Sequence, residues 1–260
     1  MDPHQKFKQE CKDRIALLGK NNDITKITRQ WLSSVYDLKY SYHFEHLGRP
    51  IIQHPQDMIA IQELIWETKP DLIVETGIAH GGSLIMSASI LALLDICDAI
   101  DSDKMINPKQ SNRKVLGIDI DIRQHNKIEI ENHPMSSRIQ MIEGSSTAPE
   151  TLKKVKQIVK NYQKVLVCLD SNHTHEHVLS ELQAYAPMTS VGSYCVVFDT
   201  IIEDLPEEKF HDRPWGPGNN PKTAVIEYLK THNEFQIDKN IDHKLLITAS
   251  QDGYLKRVKK

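Results

Sequence analysis

The stretch DLIVETGIAHGGS, which runs from Asp71 to Ser83, decides the fold that this sequence predicts. Its first five residues are an apolar run that ends in Glu75, as a short buried strand would. Three glycines follow, Gly77, Gly81 and Gly82, and they open a long apolar segment (81–97) that predicts a buried helix. A strand, a glycine-rich turn and a helix in this order are typical of the first unit of a parallel sheet that binds ligands at its strand ends.

The same alternation continues along the chain. An earlier helix is predicted at Gln53–Glu67. Further strands are predicted at Lys114–Asp119, Arg138–Glu143, Lys164–Asp170 and Ser193–Asp199, and helices at Ile122–Asn132, Pro149–Tyr162, His175–Tyr185 and Pro221–Thr231. The last candidate strands are Phe235–Asp238, Leu245–Ala249 and Tyr254–Val258, with Asp252-Gly253 as a hairpin signal. We therefore expect an α/β fold with three layers: a mostly parallel sheet, helices on both faces and an antiparallel C-terminal edge. Residues 1–50 are expected to form a helical N-terminal extension, and residues 51–260 the α/β domain.

Composition narrows the class of protein. The chain has 260 residues, of which 39% are hydrophobic and 26% charged, and its formal net charge is -3. This balance is typical of a globular protein and does not support binding of nucleic acid by bulk phosphate attraction. The four cysteines, Cys11, Cys97, Cys168 and Cys195, have no CxxC spacing, which favours a reducing compartment. We find no secretory leader in the first residues and no apolar run near the roughly 18 residues of a membrane span, so we expect a cytoplasmic protein.

Acidic and small residues at three predicted strand ends favour a nucleoside ligand. Glu75 ends the first strand, the glycine loop follows it, and Asp119 ends the next strand, where a carboxylate reaches the hydroxyls of a bound ribose. Ser145 and Ser146 follow the third strand and would flank an adenine. The loop does not match the dinucleotide pattern GxGxxG. A tight strand–helix turn with no ligand remains the alternative.

A second group of residues suits a divalent cation. Asp170 and Asp199 end neighbouring predicted strands, and two carboxylates at one sheet edge hold a hard cation through oxygen. His173, three residues after Asp170, would lie beside the metal and accept a proton near neutral pH. His175 and His177 are either further ligands or exposed residues of a first helical turn. Helix or turn capping by the two aspartates is the structural alternative.

A third segment, residues 211–221, contains three prolines and two glycines, and so predicts a shaped loop over the strand ends. His211, Arg213 and Trp215 within it would suit a polar, sugar-like substrate. A rigid surface connection is the alternative.

Most of the chain, from about Ile51 to the C-terminus, resembles one bacterial family. The resemblance lies in the runs VETGIAHGGS, VLGIDIDIR, VLVCLDSNHTHEHVLSELQAYAP, GSYCVVFDTIIEDLP, RPWGPGNNPKTAV and LLITASQDGYLKR. The family is labelled cephalosporin hydroxylase, or rhamnosyl O-methyltransferase, and its members resemble class I methyltransferases that use S-adenosylmethionine. The resemblance implies a Rossmann-like sheet of seven strands, parallel except for one. It also implies homo-oligomers and a place among surface-polysaccharide or antibiotic genes.

The resemblance also implies a cofactor site and a metal site. Carried over, the residues around the cofactor would be Glu75, Gly77, Ala79, Ser83, Asp119, Ser145, Ser146 and Asp170. The arrangement is similar to metal-dependent catechol-type O-methyltransferases, in which an aspartate, a lysine base and an Asp-Asn pair occupy the positions of Asp170, His173 and Asp199-Thr200. Histidine replaces the lysine here, and threonine replaces the asparagine.

The sequence is therefore identified as a metal-assisted O-methyltransferase that uses S-adenosylmethionine and Mg²⁺ or Mn²⁺. A small-molecule or glycan acceptor, methylated at a sugar hydroxyl, is expected. Two alternatives stay open. One is a non-haem iron hydroxylase with Asp170, His173 and His177 as ligands. The other is a nucleotide-binding assembly subunit with no catalytic role.

Overall fold

A computed structural model describes residues 2–260, in which seven strands form one central sheet. They are β3 (Leu72–Thr76), β4 (Lys114–Asp119), β5 (Ile139–Glu143), β6 (Val165–Leu169), β7 (Tyr194–Val197), β8 (Phe235–Ile237) and β9 (Tyr254–Arg257). Two earlier strands, β1 (Phe44–His46) and β2 (Arg49–Ile51), pair with each other. The order across the sheet is β5-β4-β3-β6-β7-β9-β8. Only β9 runs antiparallel to its neighbours, which confirms the predicted mostly parallel sheet.

Helices cover both faces of the sheet. Those of the described chain are α1 (Pro3–Leu18), α2 (Asn22–Tyr36), α3 (Pro55–Thr68), α4 (Gly82–Asp101), α5 (Gln124–Asn132), α6 (Pro149–Val159), α7 (His175–Tyr185), α8 (Pro221–Leu229) and α9 (Lys239–Leu245). Helices α3, α4, α5 and α9 pack on one face and α6, α7 and α8 on the other. Successive strand residues point to opposite faces. Ile73 therefore packs in the core beneath α3, α4, α5 and α9, while Leu72 and Val74 pack in the core beneath α6, α7 and α8. The three-layer α/β fold is confirmed.

Strand order places the candidate site at the centre of the sheet. The chain moves outward from β3 to β5, then returns to β6 on the other side of β3. Loops that leave β3 and β6 therefore diverge and open a crevice between them, where parallel sheets bind ligands. Gly77 has a φ of +89°, and a Cβ at this position would lie 2.0 Å from the carbonyl oxygen of Asp170. Only glycine allows the two loops to approach this closely.

The predicted strand at Leu245–Ala249 is wrong. Helix α9 ends at Leu245, and the residues that follow dock onto Asp57, a fully buried carboxylate of α3. The Thr248 hydroxyl and the Ala249 amide both donate to it. The position beside β7 is occupied by β9 instead, so Asp252-Gly253 is a turn that leads into β9 and does not join two paired strands. An apolar run alone does not distinguish a strand from a buried connection.

Helices α1 and α2 occupy most of residues 3–36, and the unpredicted β1–β2 hairpin follows them. Its turn residues Leu47 and Gly48 both have positive φ, which is typical of two-residue hairpin turns. In the sequence, Gly48 was the residue that indicated a turn at this point. The hairpin extends one residue across the predicted boundary at residue 50. The division into an extension and a domain at that point stays a prediction.

Helix α4 is long and apolar enough, by length and composition, to pass as a membrane span, with a mean hydropathy of 1.9. The expectation that no apolar run approaches this length is therefore wrong. The helix packs against the sheet, and nine of its residues are buried. A core helix between a sheet and solvent satisfies the same criteria as a span. The finding is weak evidence for a membrane segment.

Candidate active site

The glycine loop and Asp119 meet at the end of strands β3 and β4. The backbone amides of Ile78 and Ala79 donate to Oδ2 of Asp119 at 2.8 and 3.3 Å, and Oδ1 accepts the amide of Asp121. Asp119 is therefore held at the mouth of the loop, where it was predicted to bind ribose hydroxyls. Its partial exposure leaves carboxylate lone pairs for a ligand.

Glu75 and Ser83 contact each other beneath the same loop. The Ser83 hydroxyl donates to Oε1 of Glu75, whose side chain is almost fully buried. Burial raises the pKa of Glu75 to about 7, and the bond from Ser83 opposes the rise. A carboxyl that takes up and releases its proton near neutrality therefore lies under the predicted cofactor loop.

Ser145 and Ser146 occupy the loop after β5, as predicted, but Ser146 faces an unpredicted polar cluster. Its hydroxyl lies 3.1 Å from Nε2 of His177, which is 3.2 Å from the Ser171 hydroxyl and 3.5 Å from the buried Glu181. His177 thus packs behind the predicted adenine position and does not reach the aspartate pair. The sequence offered only the spacing of His177 and Glu181 on one helix face.

Ile120 is a further residue that the sequence reasoning missed. It follows Asp119 directly, and its side chain is 72% exposed. An exposed apolar side chain beside a ribose-type carboxylate is suited to contact an aromatic base. In the sequence, the only indication of this contact was the position of Ile120 directly after Asp119.

The structure brings together Asp170, His173 and Asp199, the residues around which a metal site was predicted. One ligand atom each from Asp170, His173 and Asp199 lie within 4.8 Å of one another. Asp199 has a φ of 57°, a left-handed conformation that an aspartate adopts at a cost and that aims its side chain toward the loop after β6. Nε2 of His173 lies 3.2 Å from Oδ2 of Asp199. Burial, and the nearby charges of Asp199 and Glu75, raise the pKa of Asp170 well above its usual range. Two carboxylates that repel each other at a partly buried site are stabilised by a shared cation.

His173 contacts one acidic and one aromatic side chain. Its Nε2 lies within ion-pair distance of Oδ2 of Asp199, a pairing that operates when the ring carries a proton on both nitrogens. The ring meets Trp215 edge-on, with centroids 4.7 Å apart. His173 is therefore held on two sides, which suits a positioned base.

His175 and His177 lie outside this group. The backbone amide of His175 donates to Asn219, and its Nδ1 lies 2.8 Å from the Thr223 hydroxyl. His175 therefore ties the start of α7 to α8. With His177 bound to Ser146, the aspartate pair has one histidine beside it in the described chain. The two-histidine, one-carboxylate set of the iron alternative is not formed.

A cavity of about 450 Å³ opens directly onto Asp170, His173 and Asp199. All three predicted substrate residues, His211, Arg213 and Trp215, line it. The Arg213 guanidinium lies 5.6 Å from the centre of the Trp215 ring. The loop of residues 211–221 thus covers the strand ends, as predicted.

The opposite wall of the cavity comes from the N-terminal residues, which the sequence analysis did not connect with the site. The lining residues are Leu32, Val35, Tyr36, Asp37, Lys39, Tyr40, Ser41 and Tyr42. Burial and the charge of Asp199 raise the pKa of Tyr36 to about 12, so this phenol stays protonated beside the aspartates. No local sequence signal predicts that α2 folds over the sheet edge.

Comparisons with known proteins identify the family and the fold. A model of the family described as Rhamnosyl O-methyltransferase/CmcI matches residues 38–258. The rhamnosyl O-methyltransferase of Mycobacterium tuberculosis is 28% identical over 206 residues, which are 77% of this chain and 73% of that protein.

Two solved structures have a similar fold. An apo-structure of CmcI has a TM-score of 0.51 at 17% identity and covers 84% of this chain and 78% of its own. A CmcI structure with Mg and SAM has a TM-score of 0.50 at 16% identity, with the same coverage. At these identities the likeness shows the fold alone.

Proposed function

Because this chain belongs to the family described as Rhamnosyl O-methyltransferase/CmcI, we propose that it transfers a methyl group from S-adenosylmethionine to a sugar hydroxyl. Asp170 and Asp199 would hold a Mg²⁺ or Mn²⁺ ion that would assist the transfer. The observation that carries the proposal is the convergence of Asp170, His173 and Asp199 between the glycine loop and a cavity of about 450 Å³. The chain is an O-methyltransferase by family, and the metal, the acceptor and the residue roles are our proposals.

The residues at the carboxyl ends of β3 and β4 fit the cofactor. The loop approaches the Asp170 backbone so closely that only Gly77 is allowed there, and Asp119 is held at its mouth with lone pairs free. Asp119 would bind the ribose hydroxyls, Ile120 would contact the adenine, and Ser145 and Ser146 would line its far side. Glu75 and Ser83 would lie beneath the methionine portion.

The aspartate pair fits a hard cation. Both groups offer carboxylate oxygen, which Mg²⁺ prefers, and the raised pKa of Asp170 shows the repulsion that a cation would relieve. The two aspartates supply fewer ligands than Mg²⁺ takes, so water and the acceptor oxygen would complete the shell.

When bound, S-adenosylmethionine supplies an electrophilic methyl group, and the cation lowers the pKa of a hydroxyl bound to it. The chain supplies the base and the alignment. His173 takes the hydroxyl proton, and the Asp199 carboxylate, 3.2 Å from its Nε2, stabilises the imidazolium that forms. The crevice between β3 and β6 sets the acceptor and the methyl group in line, and positioning of this kind contributes about 7–11 kcal/mol.

The cavity is the proposed acceptor site. Two of its three lysine and arginine side chains have acidic partners, since Lys209 pairs with Asp37 and Arg213 with Asp212, and the aspartates Asp170 and Asp199 also line it. A neutral acceptor therefore fits better than a strongly anionic one. Trp215 and Tyr36 provide aromatic faces, on which the C–H face of a sugar ring packs. A rhamnosyl residue is the first candidate because the curated relatives are named for it.

We also propose that residues 1–50 act as an extension that closes this acceptor site over the domain of residues 51–260. A cytoplasmic location agrees with the four free cysteines, two of them buried. A homo-oligomer agrees with exposed apolar side chains on α1 and α2, among them Phe7 and Ile27.

Calorimetry with S-adenosylhomocysteine, compared with an iron and 2-oxoglutarate turnover assay, tests the reaction class. We expect binding of S-adenosylhomocysteine and no turnover with iron. The reverse result would favour the hydroxylase. Binding with no transfer to any sugar acceptor would favour the assembly subunit.

A further inference from the structure

The β1–β2 hairpin packs against the start of α4 and does not pair with the central sheet. A Cβ added to Gly82 would lie 2.2 Å from the Pro50 carbonyl oxygen, so the hairpin backbone rests directly on the first turn of α4. Nε2 of His46 lies 3.0 Å from the Ser89 hydroxyl, about two turns further along the helix. The hairpin is thus fixed against the helix that the glycine loop opens.

One side chain of this hairpin reaches the glycine loop itself. Arg49 donates to the His80 carbonyl oxygen twice, from Nε at 3.1 Å and from Nη2 at 2.7 Å. Nη2 also donates to Oδ1 of Asn126 at 3.0 Å. The Arg49 side chain is only 12% exposed, so these bonds are shielded from competing water.

Asn126 extends the same contact to the neighbouring peptide. Its side chain is buried, and Nδ2 donates to the Ala79 carbonyl oxygen at 2.9 Å. The carbonyls of Ala79 and His80 are therefore both held on the outer side of the loop. The amides of Ile78 and Ala79 are left facing Asp119.

The loop needs such support because its backbone is strained. Ala79 has a φ of 47° and Gly81 a φ of 81°, both left-handed, and an alanine adopts this region only at a cost. Without bonds to the outer carbonyls, these peptides are free to turn and to carry the inner amides away from Asp119.

We propose that Arg49 is a positioning residue for the cofactor loop. It fixes the peptides of residues 79–80 through their carbonyls and so orients the amides and the carboxylate that hold the ribose. The inference rests on the proposed function, because it takes this loop as the S-adenosylmethionine site.

The test is calorimetric titration of the full-length protein with S-adenosylhomocysteine, together with the unfolding temperature of the free protein. Arg49→Met removes the guanidinium and keeps the stem, and we expect binding about 10- to 100-fold weaker. Arg49→Lys keeps the charge but cannot bridge His80 and Asn126 together, and we expect a partial rescue, to a loss of about 3- to 10-fold.

Arg257→Met is the matched control. Nη1 of Arg257 also donates to two backbone carbonyls, those of Pro187 and Thr189, far along the chain from the loop. We expect a lower unfolding temperature and unchanged affinity in this variant. Wild-type affinity in both Arg49 variants, or in Arg49→Lys if Arg49→Met does not fold, overturns the inference. So does an equal loss of affinity in Arg257→Met. Absence of binding by the wild-type protein would overturn the proposed function itself.

Discussion

Nε2 of His173 lies 3.2 Å from Oδ2 of Asp199, so the loop after β6 and the end of β7 meet at one point of the sheet edge. Asp170 completes the group, and the cavity begins where the three side chains end. The pairing orients the imidazole and gives the carboxylate two proposed tasks, to hold a cation and to hold His173. Each task predicts a different result on mutation.

Replacement of His173 by alanine is expected to lower the rate of methyl transfer by about 10²–10⁴-fold. The affinity for S-adenosylhomocysteine is expected to stay within about threefold, because His173 faces the acceptor cavity. Radiolabelled methyl transfer and calorimetry measure the two effects. His175→Ala is the control, since His175 binds Thr223 and its loss leaves the rate nearly unchanged. Most of the activity surviving in His173→Ala would mean that water, and not this residue, takes the proton.

Replacement of Asp199 by asparagine is expected to abolish the response to Mg²⁺. In the wild-type protein EDTA stops methyl transfer, and Mg²⁺ or Mn²⁺ restores it. Because the charge of Asp199 raises the pKa of Asp170, its removal also relieves repulsion, and the metal-free variant is expected to be no less stable than the wild type. Thermal melts with and without Mg²⁺ check both points. Full activity in excess EDTA would assign a structural role to the pair.

Replacement of Asp119 by alanine is expected to weaken S-adenosylhomocysteine binding strongly, since it leaves the ribose hydroxyls and the loop amides unpaired. Asp119→Asn keeps one acceptor oxygen and is expected to lose less. The control is Asp121→Ala, an exposed acid two residues further on. Equal affinities for wild type and Asp119→Ala in calorimetry would remove Asp119 from the site.

The free energy of unfolding is expected to fall as pH rises from about 4.5 to about 7. Burial raises the pKa of Glu75 from 4.5 to about 7, so within this window the folded state keeps a proton that the unfolded state has released. Below the window the carboxyl is protonated in both states. Above the window Glu75 is ionised in both states, and keeping its carboxylate charged in the folded state lowers the free energy of unfolding by on the order of 3 kcal/mol. Urea unfolding at several pH values gives the free energy of unfolding as a function of pH. For Glu75→Gln this free energy is expected to fall less steeply with pH than for the wild type.

Asp242 has a pKa raised to about 7 by burial and contributes in the same direction. In the double variant Glu75→Gln, Asp242→Asn the free energy of unfolding is therefore expected to depend on pH less than in either single variant. A wild-type stability that rises through this window would contradict the assigned direction.

The strand ends were predictable because local sequence determines them. The bounds of β4, Lys114–Asp119, agree with the prediction, since an apolar run there stops at an acid. Parallel strands end at one edge, so the meeting of Asp170 with Asp199 followed from strand order alone. The β1–β2 hairpin and the docked segment after α9 were not predictable in this way. Their positions depend on single distant partners, such as Asp57 for Ala249.

The same distinction holds within the site. Glu75, Asp119 and His173 lie where the motifs placed them, because each is within a few residues of a strand end. The contribution of Tyr36 depends on how α2 folds over the sheet edge, and that of Arg49 on a hairpin with few strand signals. Long-range packing decides both, and a single sequence carries little information about it.

Methyl transfer to a sugar hydroxyl is tested most directly by mass spectrometry of a rhamnosyl glycoside after incubation with the protein, S-adenosylmethionine and Mg²⁺. We expect a product in which one hydroxyl hydrogen is replaced by a methyl group, formed together with S-adenosylhomocysteine. We also expect no product with EDTA or with Asp199→Asn. A protein that binds S-adenosylhomocysteine yet methylates neither this glycoside nor any other sugar acceptor in a panel, with Mg²⁺ present, would contradict the proposed function.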